Sequence, residues 1–584
     1  RLDDPSVTRS KRLHLIFDAA REVAVPVTSG VLIICLVFLP LLSLQGLEGK
    51  LFAPVALTII FALGGSLLLS FTLIPVLSSF LLKAAPHHES WLMRRIGPAY
   101  EKLLASALAK PMPVVAAAAI GMAAAGVGYV MVGKSFMPTM DEGAILMQMA
   151  KLPSLNLEES IRQDMAIQKE LLAKVPEVKR AIARVGTDEL GLDPMSLNET
   201  DTFLVLAPRE EWRHKDKGWL TDEIRKVAAG FPGADPAFTQ PIEMRISEML
   251  TGSRGDLAVK VFGPDLATLA DLATRIEASL KATPGAADVL TVAGDNVEYL
   301  QLQMDRDAAS RAGLSIEQVQ AELRARIEGA EAGVVFEPGR RTPVLIRGPE
   351  EARQQPELLA QAEIATPSGA YARIGDLATV QRVDGPVKID RENASRFAVI
   401  QAYVTGRDLV GFVKEAQDRV AREVPLPQGY RLVWGGQFEN QKRAAARLGV
   451  VVPMALVLIF LVLFISLKST RQSLLILANI PFALIGGVLA LWASGQYLSV
   501  PASVGFIALL GIAVLNGLVM VSHFNDLLQR GLPVDAVVTE GSRRRLRPVL
   551  MTASITALGL VPLLLATGPG SEIQKPLAIV VVGG

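Results

Sequence analysis

The length of its apolar runs constrains this chain more than any other feature. Strongly hydrophobic blocks without Asp, Glu, Lys or Arg lie near 27–45, 52–82, 113–133, 448–467, 474–494, 501–524 and 549–567, and an eighth begins near 576 and runs to Gly584. Helical blocks of about 20 apolar residues cross the hydrocarbon core of a bilayer. The 584-residue chain therefore reads as an α-helical polytopic membrane protein. Its connecting segments alternate in charge. Basic ones hold Arg9, Lys11 and Arg12, then Lys83, Arg94, Arg95 and Lys110, then Lys468 and Arg471, then Arg543, Arg544, Arg545 and Arg547. The connections between them, 46–51, 495–500 and 568–575, are short and nearly uncharged. The positive-inside rule puts the basic set in the cytoplasm. Span parity then sends the long segment 134–447 to the opposite side.

That segment is soluble in character, and only 11 of the 58 acidic residues lie outside it. Strand-like and helix-like stretches alternate in it. "GAILMQMAKL" is followed by "NLEESIRQDMAIQKELLAKV" and "DTFLVLAP"; "DLAVKVFG" is followed by "LATLADLATRIEASLKA" and "AADVLTVA". Such alternation predicts small α/β sandwiches. Residues 333–395 are richer in Pro, Gly and strand-like runs and read as an inserted, mostly β subdomain. The net charge of +1 gives no reason to expect a nucleic-acid partner, and the single Cys35 excludes an intrachain disulfide. No short apolar stretch with a cleavage site follows Arg1, so no signal peptide is read.

Shifting the chain by 522 residues lays the first span on the seventh. Arg21 meets Arg543, Pro26 meets Pro548, Pro40 meets Pro562, Gly46 meets Gly568 and Pro54 meets Pro576, without a gap. Both copies enter the membrane from the cytoplasmic side, so the repeat is parallel, as in many transporters. The second copy is preceded by further spans and the large soluble block. The expectation is that the chain starts midway through a two-fold repeated transporter and stops inside its last span.

Six stretches then become specific: "KSFMPTMDEG" (134–143), "DPMSLNETDTFLVLAPREEW" (193–212), "PIEMRISEMLTGSRGDLAVKVFG" (241–263), "GGQFENQKRA" (435–444), "GIAVLNGLVM" (511–520) and "RLRPVLMTA" (545–553). Together they resemble the heavy-metal-efflux branch of the resistance–nodulation–division (RND) pumps, most closely its cobalt–zinc–cadmium resistance type, over essentially the whole chain. The resemblance implies a proton-driven antiporter of the Gram-negative inner membrane with no cofactor. A divalent metal ion is its substrate. It also implies a homotrimer joined to a periplasmic membrane-fusion adaptor and an outer-membrane channel. The implied organisation is a cytoplasmic segment 1–26, three spans in 27–133 around a connector 83–112, and spans in 448–584, four complete and a fifth truncated. Between them it implies a ferredoxin-like βαβ porter subdomain 134–296, a second one from 297–332 and 396–447, and a docking subdomain 333–395. Pumps of this kind have twelve spans, so the first four and one large periplasmic loop are expected to be missing.

Divalent Zn, Co, Ni or Cd takes carboxylate, imidazole or thiolate ligands, whereas Cu(I) takes thioether. The soluble block has no Cys and one His, His214, in the charged run "REEWRHKDKGW", where a solvated surface role is expected. Oxygen ligands remain. Copper and silver pumps of the family use a methionine cluster in the periplasmic cleft, and matching by motif places Glu199, Glu248 and Asp295 near those positions. Asp193, Glu199 and Asp201 fall within nine positions of one loop, beside Met195. The alternative for each is an ordinary surface acid. Met137, Met140, Met147, Met149, Met244 and Met249 invite a copper reading, but Met147 and Met149 share one face of a strand and suit a core. Arg340 and Arg341 resemble a family motif of the docking region.

Charged groups at membrane depth default to function, yet the spans hold none in their interiors. Asn516 is the one amide in "GIAVLNGLVM", and an amide does not titrate. By the 522-residue offset its counterpart would lie just before Arg1, where the family keeps its proton-carrying carboxylates. Asn516 is therefore read as a neutral helper on the proton path, with close helix packing at Gly511 and Gly517 as the alternative. Leu515 or Asn516, and Val549, stand where the copper-type pumps carry a Glu and a Lys. Aromatic content of 5% argues against a drug-like hydrophobic substrate. An assembly or sensory protein without transport is the alternative of another class. No nucleophile–base pair, phosphate loop or His-rich motif marks an enzyme.

Overall fold

The computed structural model describes residues 9–81, 91–187, 195–251, 255–291, 296–351 and 355–584. Backbone groups in hydrocarbon must be satisfied within their own segment, which makes each apolar block a helix. Among the described residues seven helices are long and apolar enough to cross a membrane, ranging from 21 to 32 residues. The first five helices of the chain are α1 (Arg9–Phe38), α2 (Gly46–Phe71), α3 (Leu73–Leu81), α4 (Trp91–Ala109) and α5 (Pro111–Met131). Two expectations change here. Residues 9–26 are the first half of α1 and run into the span without a break, with Pro26 inside the helix. The expected 52–82 span is two helices, broken at Thr72, whose hydroxyl donates back to Leu68 O at 2.7 Å. Such back-bonding competes with the helix ladder and bends it.

The helix Val500–Gln529 forms the middle of the bundle: 61% of its most apolar window is buried, against none for the helix Val534–Leu565. Its Val504, Ile507, Val514 and Leu518 pack with Ile33 and Val37 of α1 and with Ile459 of the helix Gln437–Leu467. Phe61, Val130 and Ile465 point outward at more than 70% exposure, as a surface in contact with apolar solvent requires. The connections fall into the two groups that charge suggests. Leu498 of the 495–500 connection donates to Gly133 O and accepts from Ser135 N, at the root of the soluble block. Arg447 reaches Ser43 O and Gln45 at the α1–α2 turn. Of the basic connections, Arg543 instead pairs with Glu101 of α4 at 2.9 Å.

The soluble block builds three units. The first contains β1 (Ala144–Lys151), α6 (Leu157–Lys174), β2 (Val178–Val185), β3 (Glu199–Leu206), α7 (Lys217–Ala228), β4 (Ala234–Thr239) and α8 (Pro241–Thr251). Its antiparallel sheet has the order β2-β3-β1-β4. Asn156 and Asp216 cap α6 and α7, each accepting from a backbone N–H three residues on. The odd-numbered face of β1 (Ile145, Met147, Met149) is buried against Ile167, Leu171 and Ile224 of those helices. The core expected for Met147 and Met149 is thus the one observed.

The second unit joins β5 (Leu257–Phe262), α9 (Leu266–Lys281) and β6 (Ala286–Thr291) to strands more than 100 residues later. The third starts with β7 (Asn296–Met304), α10 (Arg306–Arg311), α11 (Ile316–Ile327), the hairpin β8 (Ala330–Glu337) and β9 (Arg340–Ile346), and the short pair β10 (Glu363–Ala365) and β11 (Tyr371–Arg373). It closes with β12 (Ala378–Pro386), which pairs with β7 along its length. The chain then returns to the second unit through β13 (Asp390–Glu392), β14 (Ser395–Val404), the helix Leu409–Glu423 and β15 (Arg431–Gly436), giving the order β13-β14-β5-β15 with β6 also on β14. The expected boundaries at 296/297, 332/333 and 395/396 therefore move. Residues 257–291 belong with 390–436 rather than with the 134–296 subdomain, and 296–327 belong with the β12 side rather than with 396–447. Hydrophobic alternation fixes which face of a strand is buried and says nothing about its partner.

One polar group sits inside the first unit. Lys151, with no side-chain exposure, pairs with Asp164 at 2.6 Å and donates to Ser160 and Thr200 hydroxyls. Removing one partner of a buried pair strands the other charge. We expect Asp164→Ala to cost about 3–5 kcal/mol, while Lys151→Met with Asp164→Leu is far milder. Trp212 and Trp219 pack in or against this core and report its unfolding by fluorescence.

Candidate functional site

The face of the first sheet turned away from α6 and α7 carries a polar row. Register sets Gln148 of β1 opposite Asp201 of β3, and Asp201 opposite Arg184 of β2. Asp201 is fully buried; Arg184 donates to its Oδ2 at 2.8 Å and Gln148 Nε2 approaches its Oδ1 at 3.5 Å. Arg184 also contacts Met195 Sδ at 3.1 Å. The second unit meets this face. Tyr403 of β14 donates to Gln148 Oε1 at 3.4 Å. A small cavity of about 30 Å3 lies between the sheets, with Gln148, Glu199, Thr291 and Gln401 among its walls.

Glu199 opens β3 two residues before Asp201, so both point to this face. Its Oε2 accepts from Ser196 N at 2.7 Å. Glu248 comes from α8. Met244, one turn earlier, lies against Gln148 Nε2 at 3.4 Å, and an i, i+4 spacing puts Glu248 on the same helix face. Glu248 is buried and accepts from Arg245 at 3.1 Å. Glu199 and Asp201 thus face one cleft side, Glu248 lies on the α8 face that carries Met244, and Asp201 is already balanced by Arg184. Asp193 and Asp295 lie outside the described residues. Among the described residues no three His, Cys, Asp or Glu side chains converge closely enough to hold a metal ion. His214 is exposed beside Trp219, in keeping with a surface role. The sequence reading passed over Gln148, Arg184 and Tyr403. A signal for Gln148 was present: it is the one polar residue within "AILMQMA", a strand apolar on both faces.

A second concavity lies where the soluble block meets the spans. About 230 Å3 in volume, it is walled by Leu47, Leu51, Phe136, Met140, Ile242 and the carboxylates Glu142 and Glu243. Glu142 caps α8, accepting from Ile242 N at 2.6 Å and Glu243 N at 2.8 Å. Burial, then the neighbouring Asp256 charge, push the Glu243 carboxyl up to about 7. Burial likewise raises Asp256 to about 6 against the pull of the Val404 N–H. Asp256 accepts from Gln437 Nε2 at 2.8 Å, and its carbonyl accepts Gln437 N at 2.9 Å. Both bonds bind the second unit to the first turn of the Gln437–Leu467 span. The approach is close enough that a Cβ on Gly436 would lie 2.6 Å from Asp256 O. Within the spans, Asn516 Oδ1 accepts from the Thr552 hydroxyl at 3.3 Å, linking two neighbouring helices.

With this geometry in hand, the comparisons with known proteins agree with one another. Residues 5–584 match the AcrB/AcrD/AcrF family. The chain is 40% identical to the cation efflux system protein CzcA of Alcaligenes sp. (strain CT14), over 99% of this chain and 55% of that protein. It is also 40% identical to the cobalt-zinc-cadmium resistance protein CzcA of Cupriavidus metallidurans, with the same coverage. A crystal structure described as a heavy metal efflux pump superposes with a TM-score of 0.84 at 34% identity, covering 97% of this chain and 57% of that one. The chain spans about half the length of the curated relatives it matches.

The raised Glu243 value sets a pH test. An unfolded chain releases this proton near 4.5 and the folded one near 7, so stability falls as pH rises across that window. We expect Glu243→Gln to leave the unfolding midpoint unchanged near pH 4 and to raise it above pH 7, by up to about 3 kcal/mol of stability. Thermal unfolding at both pH values measures the difference.

Proposed function

The chain belongs to the AcrB/AcrD/AcrF family, in its heavy-metal-efflux RND branch, and from that premise we propose that it forms part of a proton-driven exporter of divalent Zn-, Co-, Cd- or Ni-type cations. The observation that supports the substrate class is the donor set of the cleft. Glu199 and Glu248 bring carboxylate oxygens to its sides, and no Cys occurs in the soluble block. Oxygen donors suit divalent cations of hard or borderline character. Of the sulfurs a Cu(I) reading needs, Met147 and Met149 are in the core, Met137 and Met140 line the junction cavity and Met249 is 83% exposed, while Met195 and Met244 stand beside Arg184 and Gln148 at the cleft. Copper or silver is therefore the second reading, and the low aromatic content disfavours drug-like compounds. In this reading Glu199 and Glu248 are the principal ligands. Asp193 and Asp295 are further candidates, and Asp201 serves mainly through its pair with Arg184.

The same reading makes the protein a secondary transporter rather than an enzyme, needing no cofactor, in the inner membrane of a Gram-negative cell. The soluble block lies in the periplasm, its porter units and the docking region around 333–395 facing a homotrimer, an adaptor and an outer-membrane channel. The parallel repeat has backbone support: Gly46 and Gly568, equivalent by the offset, both adopt left-handed φ, of 73° and 118°. Asn516, held by Thr552, is a neutral hydrogen-bonding group on the helix facing the proton path. An assembly or sensory role would leave the repeat and the acidic cleft without a use.

The deciding experiment complements a metal-sensitive strain with the full-length protein or its Glu199→Ala/Glu248→Ala variant. We expect the variant to lose protection against zinc, cobalt and cadmium, and zinc affinity of the purified protein to fall at least about tenfold. Undiminished protection against every metal would sink the assigned site.

A further inference from the structure

Asp288 stands at a break in a ladder. Gln401 of β14 pairs with Leu290 of β6 and Tyr403 pairs with Ala287, so Asp288 and Val289 together face the single Ala402. This is a β-bulge, and Asp288 takes a left-handed φ of 45° in it. Bulges re-aim side chains, and this one sends an aspartate out of its own sheet into the neighbouring unit. Asp288 Oδ1 accepts from Arg225 Nη1 of α7 at 2.5 Å. Its Oδ2 accepts from Arg225 Nη2 at 3.1 Å and from Phe238 N of β4 at 3.2 Å. The Arg225 guanidinium also lies over the Phe238 ring, 4.6 Å from its centre. The Asp288 side chain is 10% exposed. A guanidinium held by both carboxylate oxygens is strong and fixed in direction.

Register places this contact beside the cation cleft. Phe238 pairs with Met147 of β1, next to Gln148, and Ala287 pairs with Tyr403. The Asp288 contact and the Tyr403–Gln148 contact are therefore neighbours at one corner. From that corner both sheets run on to the walls of the small cavity, Ala150 and Glu199 on one side, Thr291 and Val399 on the other. Among the described residues no strand pairing joins the two sheets. They are fastened at a corner and apposed beyond it. A volume of about 30 Å3 holds about one water, too little for a divalent ion with its water shell. Room for such an ion between Glu199 and the second sheet requires the sheets to part.

We propose that the Asp288–Arg225 pair is the pivot of the cation cleft, which stays made while the sheets part beyond it and so makes Asp288 a positioning residue for cation access. This rests on the cation-efflux reading. A ladder of backbone bonds would hold two strand edges along their whole length. Three bonds to one carboxylate hold a single point and leave rotation about it. The adjoining Tyr403–Gln148 bond, neutral and 3.4 Å long, is the weaker of the two contacts and gives way first.

Two measurements on the full-length protein test the pivot. Hydrogen–deuterium exchange without metal reads the fastening. Asp288→Ala should weaken protection of the facing edges 234–239 and 286–291 at least about fivefold. Arg225→Gln removes the pair from the other side and should behave alike, which covers a folding failure of the first variant. Zinc transport in reconstituted vesicles reads whether the pair persists. Arg225→Cys/Asp288→Cys, unbridged, should transport at least about fivefold more slowly than wild type, and a short bis-maleimide bridge between its two thiols should restore most of the rate. The same bridge across the cavity, in Ala150→Cys/Val399→Cys, should stop transport. A 225–288 bridge that stops transport would show that the pair has to open, and would overturn the pivot. Unchanged exchange in both single variants, or an unbridged double variant at the wild-type rate, would overturn it too. The exchange arm needs no metal, so a wild type that moves no zinc would sink the cation reading and leave the fastening to stand or fall on exchange.

Discussion

A peptide group in hydrocarbon has no water to bond, and the architecture follows from that constraint. It turns every apolar block into a helix that satisfies its own backbone. It also forces irregular backbone out to the ends of the bundle, where the soluble block can complete it. The Leu498–Gly133 and Leu498–Ser135 bonds show this directly: a loop between two spans finds its partners in the chain that leads into the first α/β unit. The junction between spans and soluble block is therefore built from hydrogen bonds that the membrane could not supply.

That junction is also where the charges are concentrated at greatest cost. Glu48, in the first turn of α2, is fully buried with Arg443 at 3.7 Å, and Arg443 donates to Asn440 of the same span. One turn away, Gln437 holds Asp256. A single helix start thus touches the α1–α2 turn, the second α/β unit and, across the cavity, α8. Ion pairs of this kind do little for stability compared with apolar packing of the same volume. Their value lies in specifying one relative placement of parts that could otherwise slide.

How much of this was legible in the sequence depends on the physical range of each signal. Spans are local, because length and apolarity within one segment decide them, but helix ends are not: the helices Gln437–Leu467 and Val534–Leu565 begin more than ten residues before the apolar blocks at 448 and 549, and the blocks at 52–82 and 474–494 each divide into two helices. Strand faces are local too, as Met147 and Met149 show. Strand partners are not. β5 and β14 are separated by more than 130 residues, and nothing in either announces the other. The site divides the same way. Glu199 and Glu248 were reachable through motif position. The pairing of Asp201 with Arg184 was not, because it depends on a register between β2 and β3 that includes a bulge after Val178.

A transporter's site must let go of what it binds, and this bears on how its ligands are mounted. Donors fixed on one rigid sheet would keep their geometry through any motion of the whole unit. Glu199 is carried by β3, inside a sheet held by ladders on both sides, whereas Glu248 is carried by α8, which follows β4 and sets Met244 against Gln148. A shift of α8 alone changes the separation of the two carboxylates. A thioether between them would bind soft ions with little regard to protonation. A carboxylate loses its ligand character when it takes up a proton. In the proposed exchange of a cation against protons, oxygen donors carried on a strand and on a separate helix would tie release to helix position and proton supply together.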